Sequence, residues 1–255
     1  MGIDRRKFLT IAGLTTITTL GKKVIGNPSG GDEVVETGSK AVKRWAMAID
    51  MKKCRQHEGC VECTRICHKI HNVPDIGNSK EEVKWIWKED FEAAFPNQHH
   101  DLLEKEVNEN SVVVLCNHCD NPPCVKVCPT KSTWKREEDG IVMMDMHRCI
   151  GCRYCIAGCP YGSRSFNWRD PRPFIEEVNP EYPTRTKGVV EKCNFCAERL
   201  ADGLLPACVE ICPEKALVFG NVNDPESEIR LILKSRHSIR RKPVLGTNPQ
   251  IYYLV

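Results

Sequence analysis

Hydrophobic and polar positions alternate along "KRWAMAID", residues 43–50, with the two-residue period that sends successive side chains to opposite faces of a sheet. A strand is expected there. "TWKREEDGIVMMD" (133–145) holds two β-like runs around Asp139-Gly140, which predicts a hairpin. "KALVFGNV" (215–222) reads as a further strand and "ESEIRLILKS" (226–235) as a short helix. "SVVVLC" (111–116) and "IRLIL" (229–233) are the longest apolar runs of the body. Both suit a buried strand or helix, and neither approaches membrane length. The tail "LGTNPQIYYLV" ends apolar and is expected to dock on the body.

Two stretches break this pattern. Residues 68–110 contain "EEVKWIWKEDFEAAFPNQHH", rich in aromatics and histidine. Residues 160–187 contain Pro160, Pro171, Pro173, Pro180 and Pro183, which predicts an ordered loop without regular structure. Such inserts either carry partner contacts or cover the edges of what they surround.

The N-terminus, "MGIDRRKFLTIAGLTTITTLGKKVIG", sets Arg5 and Arg6 before a mildly apolar run from Phe8 to Leu20. This is the layout of a Tat export signal over residues 1–26, followed by a linker, 27–42. There is no A-x-A cleavage site, so either a cut after Gly26 or an uncleaved anchor fits. The expected location is the extracytoplasmic side of the cytoplasmic membrane.

Charge sharpens the picture. The formal net charge is +3, but Arg5, Arg6, Lys7, Lys22 and Lys23 against Asp4 account for more than all of it. The body is therefore close to neutral, which argues against nucleic acid as a partner. Cysteine dominates the composition, with 16 in 255 residues. A hydrophobic share of 41% that already counts cysteine leaves a modest core, so disulfides or metal must help hold the fold.

The cysteines form four groups of four, with none left over. Group one is Cys54, Cys60, Cys63 and Cys67. Group two is Cys116-x2-Cys119-x4-Cys124-x3-Cys128-Pro129. Group three is Cys149-x2-Cys152-x2-Cys155-x3-Cys159-Pro160. Group four is Cys193-x2-Cys196-x11-Cys208-x3-Cys212-Pro213. Disulfides suit an exported chain, but neighbours two or three apart bridge poorly. Zinc would need closed pairs of pairs. Group three is instead the bacterial ferredoxin run, in which three cysteines hold one iron–sulfur cube and the fourth reaches to another. Export of a folded protein agrees with this, because threading an unfolded chain would lose the cofactor. The competing reading is a zinc- or disulfide-stapled binding protein.

With "CNHCDNPPCVKVCPT", "RCIGCRYCIAGCPYG", "EKCNFCAERLADGLLPACVEICPEKAL" and "GTNP", residues 43–253 resemble the ferredoxin-type electron-transfer subunits of complex iron–sulfur membrane oxidoreductases. Polysulfide, nitrite and formate enzymes have such subunits. The export signal with "AIDMKKC" and "HKIHNVP" is most similar to DsrO-type subunits of Dsr membrane complexes linked to sulfite reduction. The resemblance implies an α+β fold of two bacterial-ferredoxin-like units with long loop insertions. Residues 43–110 plus 188–222 would make the first unit, 111–187 the second, and 223–255 a C-terminal docking extension. It implies four [4Fe-4S] clusters in a line. Cys54, Cys60, Cys63 and Cys212 would hold cluster 1, and Cys116, Cys119, Cys124 and Cys159 cluster 2. Cys149, Cys152, Cys155 and Cys128 would hold cluster 3, and Cys193, Cys196, Cys208 and Cys67 cluster 4. The implied partners are an NrfD-type integral membrane quinone-interacting subunit and either a multihaem cytochrome or a molybdopterin catalytic subunit.

Group one departs from the family pattern, because "RQHE" lengthens its first spacing. Cys54 still ligates, His57 replaces it, or a three-iron cluster forms. A histidine ligand would raise the potential. His118 and His147 are expected to hydrogen-bond near clusters rather than ligate. Lys52, Lys53, Arg148 and Lys192 each lie within two residues of a ligand. They either moderate cluster charge or are solvated surface cations. No P-loop, dinucleotide fingerprint or radical-SAM run is present, and no catalytic residue is expected beyond the electron carriers.

Overall fold

The fold is taken from a computed structural model, which describes residues 42–56, 59–98 and 111–255. The export segment 1–26, His57 and all of the linker but its last residue lie outside the described residues. The strands are β1 (Trp45–Asp50), β2 (Ile86–Asp90), β3 (Ser111–Leu115), β4 (Thr133–Lys135), β5 (Val142–Met144), β6 (Ser165–Phe166), β7 (Val190–Glu191), β8 (Leu217–Asn221), β9 (Ser238–Ile239) and β10 (Ile251–Leu254). The helices are short: α1 (Met51–Arg55), α2 (Glu62–Ile70), α3 (Phe91–Ala94), α4 (Pro123–Lys126), α5 (Tyr154–Ala157), α6 (Ala197–Ala201), α7 (Ala207–Glu210) and α8 (Glu228–Ser235). The fold is α+β.

The alternation at residues 43–50 does produce β1, but its burial does not alternate: Ala46, Met47, Ala48 and Ile49 are all buried. The strand lies inside a four-stranded sheet, β8–β1–β10–β9, that is covered on both faces. Ala46 and Ala48 pack with Ile229 of α8, while Met47 and Ile49 face the main core with Leu217, Phe219 and Tyr253. Small residues let α8 come close; a Cβ at Gly220 would meet Ile229 Cγ2 at 3.0 Å. The apolar tail docks as expected and goes further. It becomes β10, parallel to β1 in the register Met47↔Ile251 to Asp50↔Leu254.

The predicted hairpin forms, with Thr133↔Met144 and Lys135↔Val142 in register. Asp139 accepts from the Ile141 N–H and pairs with Arg136, and Gly140 takes φ +74° at the turn. The aromatic insert is part of the core. Trp85, Ile86, Phe91 and Phe95 are almost wholly buried, and β2 pairs antiparallel with β3 just ahead of Cys116. The proline-rich insert is largely irregular, as its composition predicts. It is closed by β6 pairing antiparallel with β7, with Ser165↔Glu191 and Phe166↔Val190 in register. Among the described residues, no helix is long and apolar enough to cross a membrane.

Candidate metal centres

All sixteen cysteines are free of disulfides. What remains is where their thiols converge.

Cys54 rides on α1, whose N-terminus is capped by Asp50 accepting from the Lys53 N–H at 3.0 Å. Cys63 and Cys67 lie one turn apart on α2, so they face neighbouring sites from one helix. Cys54, Cys60, Cys63 and Cys212 line a single cavity, walled by Val113 and Leu217. Burial, then the nearby Cys54, pushes the Cys63 thiol up to about 11.

Cys67, Cys193, Cys196 and Cys208 are all buried, and charge on Cys193, Cys208 and Cys196 bears on Cys67. The "CNFC" turn bends sharply here, with Phe195 and Cys196 both at positive φ. His71 sits at this edge. Its Nδ1 lies 2.9 Å from the Cys67 carbonyl, and its Nε2 is 2.7 Å from Glu198 Oε1. Burial opposes its charge, but Cys196 and Glu198 outweigh that and carry its pKa up to about 9. Ligand atoms of His71, Cys196 and Glu198 lie within 4.8 Å of one another.

Cys116, Cys119, Cys124 and Cys159 line another cavity, with Asn117, His118, Val142, Ser163 and Arg164 in its wall. His118 is fully buried and stacks on Phe195 at 3.7 Å between ring centres. Its Nδ1 accepts from the Val142 N–H at 3.1 Å, so the ring proton belongs on Nε2, which has no protein partner. Both polar atoms of the Asn117 side chain are likewise buried without partners. Arg164 Nη2 donates to Cys124 Sγ at 3.1 Å and to Thr133 Oγ1 at 2.8 Å.

The third group is looser. Cys155 is buried and feels the charge of Cys149, whereas Cys152 is exposed. Cys128 follows α4, which packs side by side with α5; a Cβ at Gly158 would meet Val127 Cγ2 at 3.2 Å. Its thiol lies in a nest of hydroxyls, 3.3 Å from Ser132 Oγ and 3.7 Å from Thr130 Oγ1. Burial raises it, but these hydroxyls and backbone N–H groups win and bring it down to about 7. The loop Cys149–Cys152 turns at Gly151, where φ is +68° and a Cβ would strike the Gly188 carbonyl oxygen at 2.3 Å. Only glycine fits so close an approach.

The groups lie near enough for charge on one to bear on the next. Cys63 bears on Cys67 and Cys208, Cys116 on Cys193, and Cys124 on Cys155. The order is thus the Cys54 quartet, the Cys67 quartet, the Cys116 quartet and the third group. The donor set fits iron–sulfur clusters. In two of the groups the thiols converge on small cavities with few carboxylates, and the Cys67 quartet is wholly buried, which suits a soft cationic iron core. The orphaned His118 and Asn117 donors suit cluster sulfur.

The sequence pattern grouped the cysteines but missed three neighbours: Arg164, His71 and Glu198. Arg164 lies five residues past Cys159, and no spacing rule marks it. Of the four cations flagged by proximity, Lys52, Lys53 and Arg148 are exposed and only Lys192 is buried. His147 is exposed too.

A family model described as "4Fe-4S dicluster domain" matches residues 109–172 and 178–222. The chain is 40% identical to the Hdr-like menaquinol oxidoreductase iron-sulfur subunit 1 of Archaeoglobus fulgidus, over 98% of this chain and 97% of that one. It is 35% identical to Protein NrfC of Escherichia coli, over 98% and 94%. It is 40% identical to a subunit of the tetrathionate reductase of Salmonella typhimurium, over 83% and 72%. Thiol convergence, family match and full-length likeness agree, and the chain belongs to the family of 4Fe-4S dicluster iron–sulfur subunits that serve electron transfer in membrane oxidoreductase complexes.

Proposed function

We propose that the chain is a four-cluster electron wire on the extracytoplasmic face of the membrane. It would pass electrons between an NrfD-type quinone-interacting subunit and a partner such as a multihaem cytochrome, in a Dsr-type complex linked to sulfite reduction. The observation that carries this is the order of the cysteine groups, each close enough to the next for their charges to interact. Residues 43–110 with 188–222 and residues 111–187 form the two ferredoxin-like units, and 223–255 the docking extension.

The ligand sets are Cys54, Cys60, Cys63 and Cys212; Cys67, Cys193, Cys196 and Cys208; Cys116, Cys119, Cys124 and Cys159; and Cys128, Cys149, Cys152 and Cys155. Cys54 lines the first cavity with its three partners, which supports it as a ligand. Bound clusters supply one-electron redox chemistry. The residues do the rest: β2, β3 and the aromatic insert keep water from the Cys54 and Cys67 quartets, and His71 and His118 offer hydrogen bonds at cluster edges.

The likeness to a tetrathionate reductase component favours a second reading, with the same wire ending on a molybdopterin reductase. Iron and acid-labile sulfide analysis, with low-temperature EPR, tests both. About sixteen irons per chain are expected, and far fewer would sink the four-cluster wire. The subunits that co-purify in mild detergent separate the two readings.

A further inference from the structure

Among the described residues, five lysine or arginine side chains are buried: Arg44, Arg164, Arg185, Lys192 and Arg241. Three meet carboxylates. Arg44 lies 2.6 Å from Asp120, Arg185 2.7 Å from Glu191, and Arg241 3.3 Å from Glu89. Among the described residues, Arg164 and Lys192 pair with no carboxylate. The Arg164 guanidinium reaches Cys124 Sγ, Thr133 Oγ1 and Met144 Sδ, and it also bears on Cys155, across the boundary with the third group. The Lys192 ammonium donates to the backbone carbonyls of Val142 and Cys193.

The β6–β7 ladder makes the pair more unusual. Ser165 stands opposite Glu191, so one step further Arg164 stands opposite Lys192. Directly opposed like charges repel, and a buried cation without an anion is strongly unfavourable. The two cations therefore call for an anion nearby. Arg164 and Val142, whose carbonyl holds Lys192, both line the cavity of Cys116, Cys119, Cys124 and Cys159.

We propose that Arg164 and Lys192 are the counter-charges of the cluster at Cys116, Cys119, Cys124 and Cys159, and that they make it the most easily reduced position of the wire. This rests on the four-cluster reading. Thiolate-held iron–sulfur sites are anionic, and net charge and hydrogen bonds to sulfur set their potentials. Reduction takes one electron from the neighbouring cluster. The acceptor gains the negative charge that the donor loses, no bond forms or breaks, and no proton moves. Two buried cations stabilise that added charge. Among the described residues no other group is met by two buried cations: Lys88 and Arg55 near Cys54 are half-buried, and of the pair Arg164 alone bears on Cys155 and Lys192 alone on Cys193. Glu62 and Glu214 stand in the wall at Cys54, His71 is tied to Glu198 at Cys67, and Cys152 is open to solvent.

The test is a dithionite titration followed by EPR on the intact complex, wild type against Arg164→Gln, Arg164→Lys and Lys192→Gln, with iron counted in each. Arg164→Gln should move one of the four steps by at least tenfold toward the oxidised form, about 59 mV for one electron. The neighbouring steps should move less. Lys192→Gln should move the same step in the same direction, and carries the test if Arg164→Gln loses iron. Arg164→Lys should stay near wild type. Unmoved steps, or four equal shifts, overturn the proposal. Equal falls in Arg164→Gln and Arg164→Lys overturn it as well, because the hydrogen bond to Cys124 and not the charge would be responsible. A wild-type complex short of iron overturns the wire itself, whatever the potentials do.

Discussion

Glu191 is wholly buried and gathers three donors: Trp85 Nε1 at 2.8 Å, Asn167 Nδ2 at 2.5 Å and Arg185 at 2.7 Å. Arg185 also donates to the carbonyls of His71 and Asn72, and its guanidinium lies over Trp85, 5.4 Å from the ring centre. One carboxylate thus pins both inserts to β7. Glu191→Gln keeps an acceptor for Trp85 and Asn167 but strands a buried guanidinium. Loss of about 3 kcal/mol is expected, read as a fall in thermal unfolding temperature. The sequence could not show this. Cysteine spacing is a local signal, so the four sequence groups were legible from runs such as "CIGC" and "CNFC", whereas the exchange of cysteines between groups was implied by the family resemblance. Lys192 was flagged only because it adjoins Cys193. Arg164 is placed by partners 20 to 40 residues away, Arg185 by the carbonyls of His71 and Asn72 at 114 and 113 residues, and Glu191 by Trp85 at 106 residues, which no local pattern encodes.

At the scale of elements, α1 depends on an ionised carboxylate. Asp50 caps it through the Lys53 N–H and pairs with Arg236 from beyond α8. Burial raises the Asp50 carboxyl, but Arg236 and the Lys53 N–H outweigh it, and the net shift is downward. A depressed folded pKa stabilises above the unfolded value, near about 3.9, and that stability is lost as pH falls through the folded value. Asp50→Asn keeps the cap and should flatten this acid limb of the stability curve. Asp50→Ala loses the cap as well, at about 1 kcal/mol near neutral pH. Chemical denaturation at a series of pH values distinguishes the two. Here the alternation in "KRWAMAID" did reveal β1. It could not reveal double-sided burial, because the covering helix and tail come from the far end of the sequence.

For the molecule as a whole, β10 joins the two ends of the described fold. Ile251, Tyr253 and Leu254 are buried to within 1%, and the strand lies between β1 and β9. Deleting residues 251–254 leaves β1 without its parallel neighbour and opens the core at Met47 and Ile49. The shortened chain is expected to lose cooperative unfolding and to bind far less iron than the full chain, measured by circular dichroism and metal analysis. The apolar tail was legible as something that docks. Its parallel partnership with β1 was not, since pairing across 204 residues of register, as in Met47↔Ile251, leaves no local trace.

That closure also sets an order of events. During synthesis the chain emerges from its N-terminal side, and every cysteine precedes β10. All sixteen thiols are therefore made before the strand that seals the sheet beside the first quartet. Until β10 arrives, β1 has an empty flank and the site next to α1 stands ajar. A cluster delivered before the strand arrives would enter a site with one flank still open.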